Sequence, residues 1–258
     1  MEENKIRFDD GAAYERMMGT WSRLAGSVFI DWLAPEPGLR WVDVGCGNGA
    51  FSELLVQRCA PKEVQGVDPS EGQLAFARNR PAANVAEFQL GDAMALPFAE
   101  SRFGAAVMAL VIFFVPDPEK GVAEMVRVVS PGGIVAAYAW DTTAGGLPME
   151  LVQAEMRAMG MTVPIPPSSA ASKIDALRGL WVGAGLEAIE TREIMVQRTF
   201  TDFEDFWTTT LLANPPADVT SAEIEQLKVR VRGRVHADAA GRVTASGRAN
   251  AIKGRVPL

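Results

Sequence analysis

A chain of 258 residues, 48% of them apolar, carries enough hydrophobic surface for a full core, which excludes a disordered protein. Its formal charge of −7 repels nucleic acid phosphates unless positive charge is gathered in one place, and no apolar run reaches the roughly 18 residues that span a bilayer. The opening "MEENKIRFDDG" is charged where a signal peptide would be apolar, so the expectation is a cytoplasmic protein of a single domain, 1–258, with an elaboration.

Residues 1–38 read as a helical segment: Tyr14, Met17, Met18, Trp21, Leu24, Val28 and Trp32 recur at spacings of three and four. Over 39–141 short apolar strands alternate with amphipathic helices, the rhythm of βαβ units and a mainly parallel sheet. "RWVDV" is the first strand, with a helix from about Gly49 to Cys59. "EVQGVD" is the second, followed by the helix "SEGQLAFARNR" with Ser70 as N-cap, and "AEFQL" is the third. "GAAVMALVIFFV" reads as one long central strand buried on both faces. "PDPEKGVAEMVRVVS" is a helix opened by proline, and "PGG" turns the chain into a fifth strand, "IVAAYAW".

Residues 142–172 break the rhythm. "PMELVQAEMRAMG" looks helical and "MTVPIPPSSAAS" is a proline-punctuated loop, together an inserted cap. The pattern resumes over 173–258 with a helix at 173–183, a strand near 186–198, a helix with a capping box of Thr201 and Glu204, and a last strand in "RANAIKGRV". The basic stretch "LKVRVRGRVHADAAGR" lacks aromatics that would stack on bases and reads as a solvated helix or loop, so no nucleic acid partner is expected. Cys46 and Cys59 show neither metal-like spacing nor a disulfide framework; they read as free thiols, and no metal is expected.

The chemistry is concentrated in "WVDVGCGNGAF". Gly45, Gly47 and Ala50 satisfy the G-x-G-x-x-G/A dinucleotide fingerprint, while Gly45, Gly47 and Gly49 satisfy the G-x-G-x-G of another nucleoside-binding class. Both place Asp68, at the end of the second strand, where a carboxylate accepts hydrogen bonds from ribose hydroxyls. A dinucleotide fingerprint usually opens its domain, whereas here about forty residues precede it. "GDAMALPF" after the third strand sets an acid, Asp92, within reach of an adenine amino group above an apolar floor.

In that order and spacing "VDVGCGNGAF", "GVDPS", "GDAMALPF", "FGAAVMALVIFFVPDP" and "RVVSPGG" resemble the class I S-adenosylmethionine-dependent methyltransferases, over roughly residues 38–140. The likeness is nearest to the small-molecule branch that includes the quinone-biosynthesis C-methyltransferases, the type 11 group. The resemblance implies an α/β, Rossmann-like fold with a seven-stranded, mostly parallel sheet of order 3-2-1-4-5-7-6 and helices on both faces. It implies S-adenosyl-L-methionine as cofactor and a small-molecule acceptor. On the matching positions, Gly45, Cys46, Gly47 and Gly49 would face the methionine part, with Asp43 orienting that turn or binding the amino group. Asp68 would hold the ribose, Pro69 and Ser70 the adenine edge, Asp92 and Ala93 the adenine, and Leu110 and Val111 the methionine side. Asp43 and Ser70 read equally as a turn anchor and a helix cap. Two rival functions stay open: a non-catalytic S-adenosylmethionine-binding protein of the same fold, and an NAD(P)-dependent oxidoreductase, which the motif order disfavours.

The site's other half carries less signal. Arg23 is a candidate to fork the cofactor carboxylate. Phe113, Phe114, Trp140, Met149, Met156 and Met159 suggest an apolar or aromatic acceptor. The fourth strand ends without the histidine many relatives have there, and the sole histidine, His236, reads as a solvated surface residue. If the reaction needs a base, Asp141 or Tyr14 is the candidate.

Overall fold

A computed structural model describes residues 15–211 and 219–258. Tyr14 and the side chain of Met17 lie outside what it describes. Seven strands, β1 (Arg40–Val44), β2 (Glu63–Asp68), β3 (Ala86–Leu90), β4 (Phe103–Ala109), β5 (Val129–Trp140), β6 (Glu187–Phe200) and β7 (Val243–Arg255), form one sheet of order β3-β2-β1-β4-β5-β7-β6. β7 runs antiparallel to both its neighbours, and the pairs from β3 across to β5 are parallel. The centre is where the sequence is most apolar: Trp41 and Val42 on β1, Ala105 through Met108 on β4 and Val135 through Ala139 on β5 are shut off from water on both faces.

The helices are α1 (Thr20–Leu33), α2 (Ala50–Cys59), α3 (Glu71–Ala77), α4 (Pro118–Val128), α5 (Glu150–Ala158), α6 (Ile174–Gly183), α7 (Phe203–Leu211) and α8 (Ser221–Arg232). They cover opposite faces, as alternate residues of β7 show. The ammonium of Lys253 lies 4.7 Å over the Trp32 ring of α1, while Gly254 lies against Trp181 of α6. α4 begins with Pro118 after an N-cap, Asp117, whose carboxylate accepts from Lys120 N at 3.1 Å, an entry that the proline at the first helical position anticipates.

Four local expectations are corrected. The buried stripe of α1 is Trp21, Ala25, Phe29 and Leu33, with Gly26 and Ile30 beside it, whereas Leu24, Val28 and Trp32 are only partly covered. The helix turns its smallest residue inward: a Cβ at Gly26 would lie 2.9 Å from Leu54, so close approach selects the contact line and large side chains mislead. The long central strand stops at Ala109, because Leu110 takes φ +65° and Ile112–Phe114 form a 3₁₀ turn. "PGG" lies inside β5 as an irregularity, with Gly132 at φ +76°. At α7 the carboxylates of Asp202 and Asp205 make the cap bonds, Asp202 accepting from Asp205 N at 2.9 Å and Asp205 from Thr201 N at 2.9 Å, while Glu204 is drawn away by Lys228 and Arg232.

The basic stretch also has a job. α8 opens on a capping box of Thr220 and Glu223, and Arg230 and Arg234 grip Glu155 of α5 at 2.8 and 2.7 Å. Glu155 is buried, so this pair of guanidiniums neutralises a charge the inserted cap could not otherwise hide.

Candidate active site

β1 delivers its chain to a tight turn against β2, where Gly45 N and Cys46 N both donate to the carbonyl of Val67, at 2.7 and 3.0 Å. Glycine is required here for two separate reasons. Gly45 has φ +73° and an added Cβ would stand 2.5 Å from Val111, so both conformation and space exclude a side chain. Gly47 has φ +52°, and an added Cβ would meet only Gln73, in ordinary contact at 3.9 Å, so conformation rather than crowding selects glycine there.

Two carboxylates sit under this turn. Asp68 ends β2 buried, its Oδ2 accepting from Gly47 N at 2.8 Å and its Oδ1 from Ser70 N at 2.9 Å. Burial pushes its carboxyl up, and those two N–H groups oppose the push without cancelling it. Asp43 on β1 is buried; its Oδ2 accepts from Ser52 Oγ at 2.6 Å and its Oδ1 has no hydrogen-bond partner among the described residues. Burial raises its carboxyl to about 7, with the charge of Asp68 adding to the effect and the Ser52 hydroxyl opposing it. Burial and the two acids together lift the Cys46 thiol far from ionisation.

The remaining walls come from strand ends. Ser70 caps α3 by accepting from Gln73 N at 3.4 Å. Asp92, exposed after β3, accepts from Met94 N at 2.8 Å in a side-chain turn that presents Ala93. Leu110 is a buried non-glycine residue in the left-handed region, held there by its N–H donating to Tyr138 O at 2.8 Å. Such a conformation persists only where its surroundings impose it, and it turns the chain after β4 across the sheet's carboxyl edge. All these groups face one cleft of about 1050 Å³. Its lining also takes in Ser22, Phe51, Tyr138, Phe114, Ile165 and Pro167, which form a second, side-chain wall. The inserted cap reaches this wall because Ser168 donates its N–H to Phe113 O at 3.0 Å and its hydroxyl to Val115 O at 2.7 Å.

Asp43, Gly45, Cys46, Gly47, Asp68, Pro69, Ser70, Asp92, Ala93, Leu110 and Val111 therefore line one cavity. Gly49 stands behind it as the N-cap of α2. Arg23 is absent from the lining: its guanidinium is paired with Glu15, and its neighbour Ser22 faces the cleft instead. Asp141 is likewise outside. Its Oδ1 accepts from Ala144 N and Thr143 Oγ1, and its Oδ2 from Arg248, so the carboxylate anchors the turn after β5. Trp140 packs edge-on against Trp21, and Phe113 and Met156 are in the core. Sequence reasoning passed over Ser22, Phe51 and Tyr138; of these only Tyr138, a phenol among small residues near the end of a strand, carried a signal.

Three acids and no lysine, arginine or histidine face this cleft among the described residues. Residues 42–137 match the methyltransferase-domain family. A demethylmenaquinone methyltransferase of Desulfitobacterium hafniense is 39% identical over 107 residues, 40% of this chain and 42% of that protein, so the chain spans less than half the length of this relative. The YcgJ protein of Bacillus subtilis superposes with a TM-score of 0.63 at 16% identity, covering 91% of this chain and 98% of that one. Phosphoethanolamine N-methyltransferase 2 of Haemonchus contortus, solved in complex with S-adenosyl-L-methionine, superposes at 0.59 with 17% identity, covering 95% and 56%. Motif order, strand order and family match agree: residues 42–137 match the methyltransferase-domain family, the whole chain has the class I methyltransferase fold, and its sequence is similar to the quinone-biosynthesis group.

Proposed function

We propose that this chain binds S-adenosylmethionine and transfers its methyl group to a small, largely apolar or aromatic acceptor. The observation that carries this reading is the charge of the cleft: Asp43, Asp68 and Asp92 face it, and no basic side chain does among the described residues. A dinucleotide would bring its pyrophosphate into that field and be repelled. A sulfonium with an ammonium group would be attracted. The unpartnered Asp43 Oδ1 is a buried acceptor of the kind an ammonium satisfies.

In this reading Gly47 offers bare backbone to the methionine part, with Cys46, Leu110 and Val111 beside it. Asp68 retains acceptor capacity after its two N–H bonds, enough for both ribose hydroxyls. Pro69 and Ser70 flank the adenine, which Asp92 and the Ala93 amide read. The bound cofactor supplies an electrophilic methyl carbon with a good leaving group, so the protein's work is alignment and the exclusion of water. Phe51, Tyr138, Phe114, Ile165 and Pro167 shape an acceptor side whose polar groups are few. With no imidazole or amine among the described lining residues, an acceptor with an acidic carbon or a free lone pair fits best, since it needs least of the roughly 10²- to 10⁴-fold help of a general base. A cytoplasmic setting suits the two free thiols.

Calorimetry tests the reading: S-adenosylmethionine should bind in the micromolar range and NAD or NADP not measurably. Tighter binding of a nicotinamide nucleotide would overturn it. Mass spectrometry of cell extract incubated with protein and labelled cofactor then separates a methyltransferase from a silent binder of the same fold.

A further inference from the structure

Two segments far from the glycine turn in the chain converge on one of its residues. Asn48 is almost fully buried. Its carbonyl accepts from Arg80 Nε at 2.6 Å, its Nδ2 donates to Glu15 Oε2 at 2.9 Å, and its Oδ1 accepts from Ala50 N at 3.2 Å. Arg80, in the loop after α3, has a side chain only 9% exposed and spends its other two nitrogens on Glu53 Oε2, at 2.8 Å, and on Glu15. Its guanidinium also lies 5.3 Å over the Phe76 ring. Glu15, in the turn that leads into α1, is shared by Arg80 and Arg23. Burial alone would push its carboxyl up, but the two guanidiniums outweigh this and hold it below the usual range.

None of Arg80, Glu53 or Glu15 lines the cleft. They enclose the back of the turn whose front the cofactor would touch. A turn with glycine at 45, 47 and 49 is freer than any other short segment of a chain, and fixing it at the moment of binding costs affinity. A turn held in shape beforehand avoids that cost.

We propose that Glu15 and Arg80 are positioning residues: through Asn48 they hold the glycine turn in its binding conformation and tie that conformation to the docking of the N-terminal helix. The inference rests on the reading of the cleft as a cofactor site. It links cofactor affinity to residues that never meet the cofactor.

Gly19 supplies an unusually clean test. Its backbone is helical, φ −56° and ψ −43°, so alanine there favours the helix, yet an added Cβ would collide with the Glu15 carboxyl group. Three variants, Arg80→Met, Glu15→Gln and Gly19→Ala, are compared with the parent by hydrogen exchange at residues 45–49 without cofactor, by calorimetry with S-adenosylmethionine, and by melting temperature. Arg80→Met should speed exchange of the turn amides and weaken binding by roughly tenfold or more, Glu15→Gln by a few-fold, since pre-organisation is what each removes. Gly19→Ala should weaken binding without lowering the melting temperature, which a merely structural role would not produce. Should Arg80→Met fail to fold, the other two variants decide. Unchanged exchange and affinity in folded Glu15→Gln and Gly19→Ala would overturn the proposal. A parent protein that binds no S-adenosylmethionine would instead sink the cofactor reading, and the exchange rates of the cofactor-free variants would still show whether the clamp orders the turn.

Discussion

The two walls of the cleft are made differently. The wall formed by Gly45, Gly47, Asp68, Ser70 and Asp92 is bare backbone and short polar side chains, set at the carboxyl ends of β1, β2 and β3 and fixed by short hydrogen bonds such as Gly47 N to Asp68. The other wall is apolar and aromatic side chains with one serine, carried in from α1 by Ser22, from α2 by Phe51, from β5 by Tyr138 and from the inserted cap by Ile165 and Pro167. A wall made of backbone tolerates little change, because its positions are set by φ and by bonds no side chain can replace. A wall made of apolar side chains can be re-cut without disturbing the sheet beneath it. Binding a constant ligand suits the first and choosing among acceptors suits the second.

The strongest way to break this contrast is Gly45→Ala. A Cβ would be forced into the left-handed region and against Val111, and strain of about 1–3 kcal/mol falls directly on the turn. Cofactor affinity should fall on the order of a hundredfold, read by calorimetry, and an unchanged affinity would mean that the turn does not touch the ligand. Next, Asp68→Ala should weaken cofactor binding by about 1.5–3 kcal/mol while the fold persists. Collapse of stability with affinity intact in the surviving protein would make Asp68 a brace for Gly47 and Ser70 and nothing more.

A milder effect comes from pH. The Asp43 carboxyl is raised in the folded state from an ordinary 3.8 to about 7, so the folded protein holds a proton that the unfolded chain has released. Between those values stability therefore falls as pH rises, and Asp43→Asn should flatten that dependence in denaturant titrations. A cationic ligand favours the ionised form, so its binding should expel a proton and weaken as pH falls through about 7. Calorimetry in two buffers of different ionisation enthalpy reads the proton directly, and buffer-independent heats would remove Asp43 from the ligand. The smallest change belongs to the side-chain wall. Ile165→Ser, at a position 78% exposed, should shift the acceptor KM by a few-fold and leave cofactor affinity and melting temperature where they were. His236→Ala, exposed and remote from the lining, should change neither.

What was legible in the sequence follows the same division. The five strands from "RWVDV" to "IVAAYAW" announce themselves because buried parallel strands are apolar runs bounded by turns, and all eleven cofactor-side residues that line the cleft lie on those strands or in the turns that follow them. Arg23 and Asp141 were chosen for having the right charge near the right strand, but Glu15 and Arg248 had already taken them, and no local pattern shows a partner 107 residues away. The break at Leu110 was hidden for a related reason: "MALVIFF" has no glycine or proline to mark it, and the left-handed turn is imposed by the carbonyl of Tyr138 and by the contact of Val111 with the space at Gly45. The face of α1 was misjudged because Gly26 and Ala25 carry no hydrophobic weight yet mark the line of closest packing.

The place of β7 has a consequence for how the protein is made. It is the last strand of this sheet in chain order, yet it lies between β5 and β6, matched to β5 from Ile134 to Trp140 and to β6 along almost its whole length. Until it emerges, β5 and β6 each present an open edge, and the strands β3, β2, β1, β4 and β5 are in place while the sheet still ends at β5. A nascent chain stalled before Val243 would therefore be the species most in need of a chaperone, and the one most prone to borrow a strand from a neighbour.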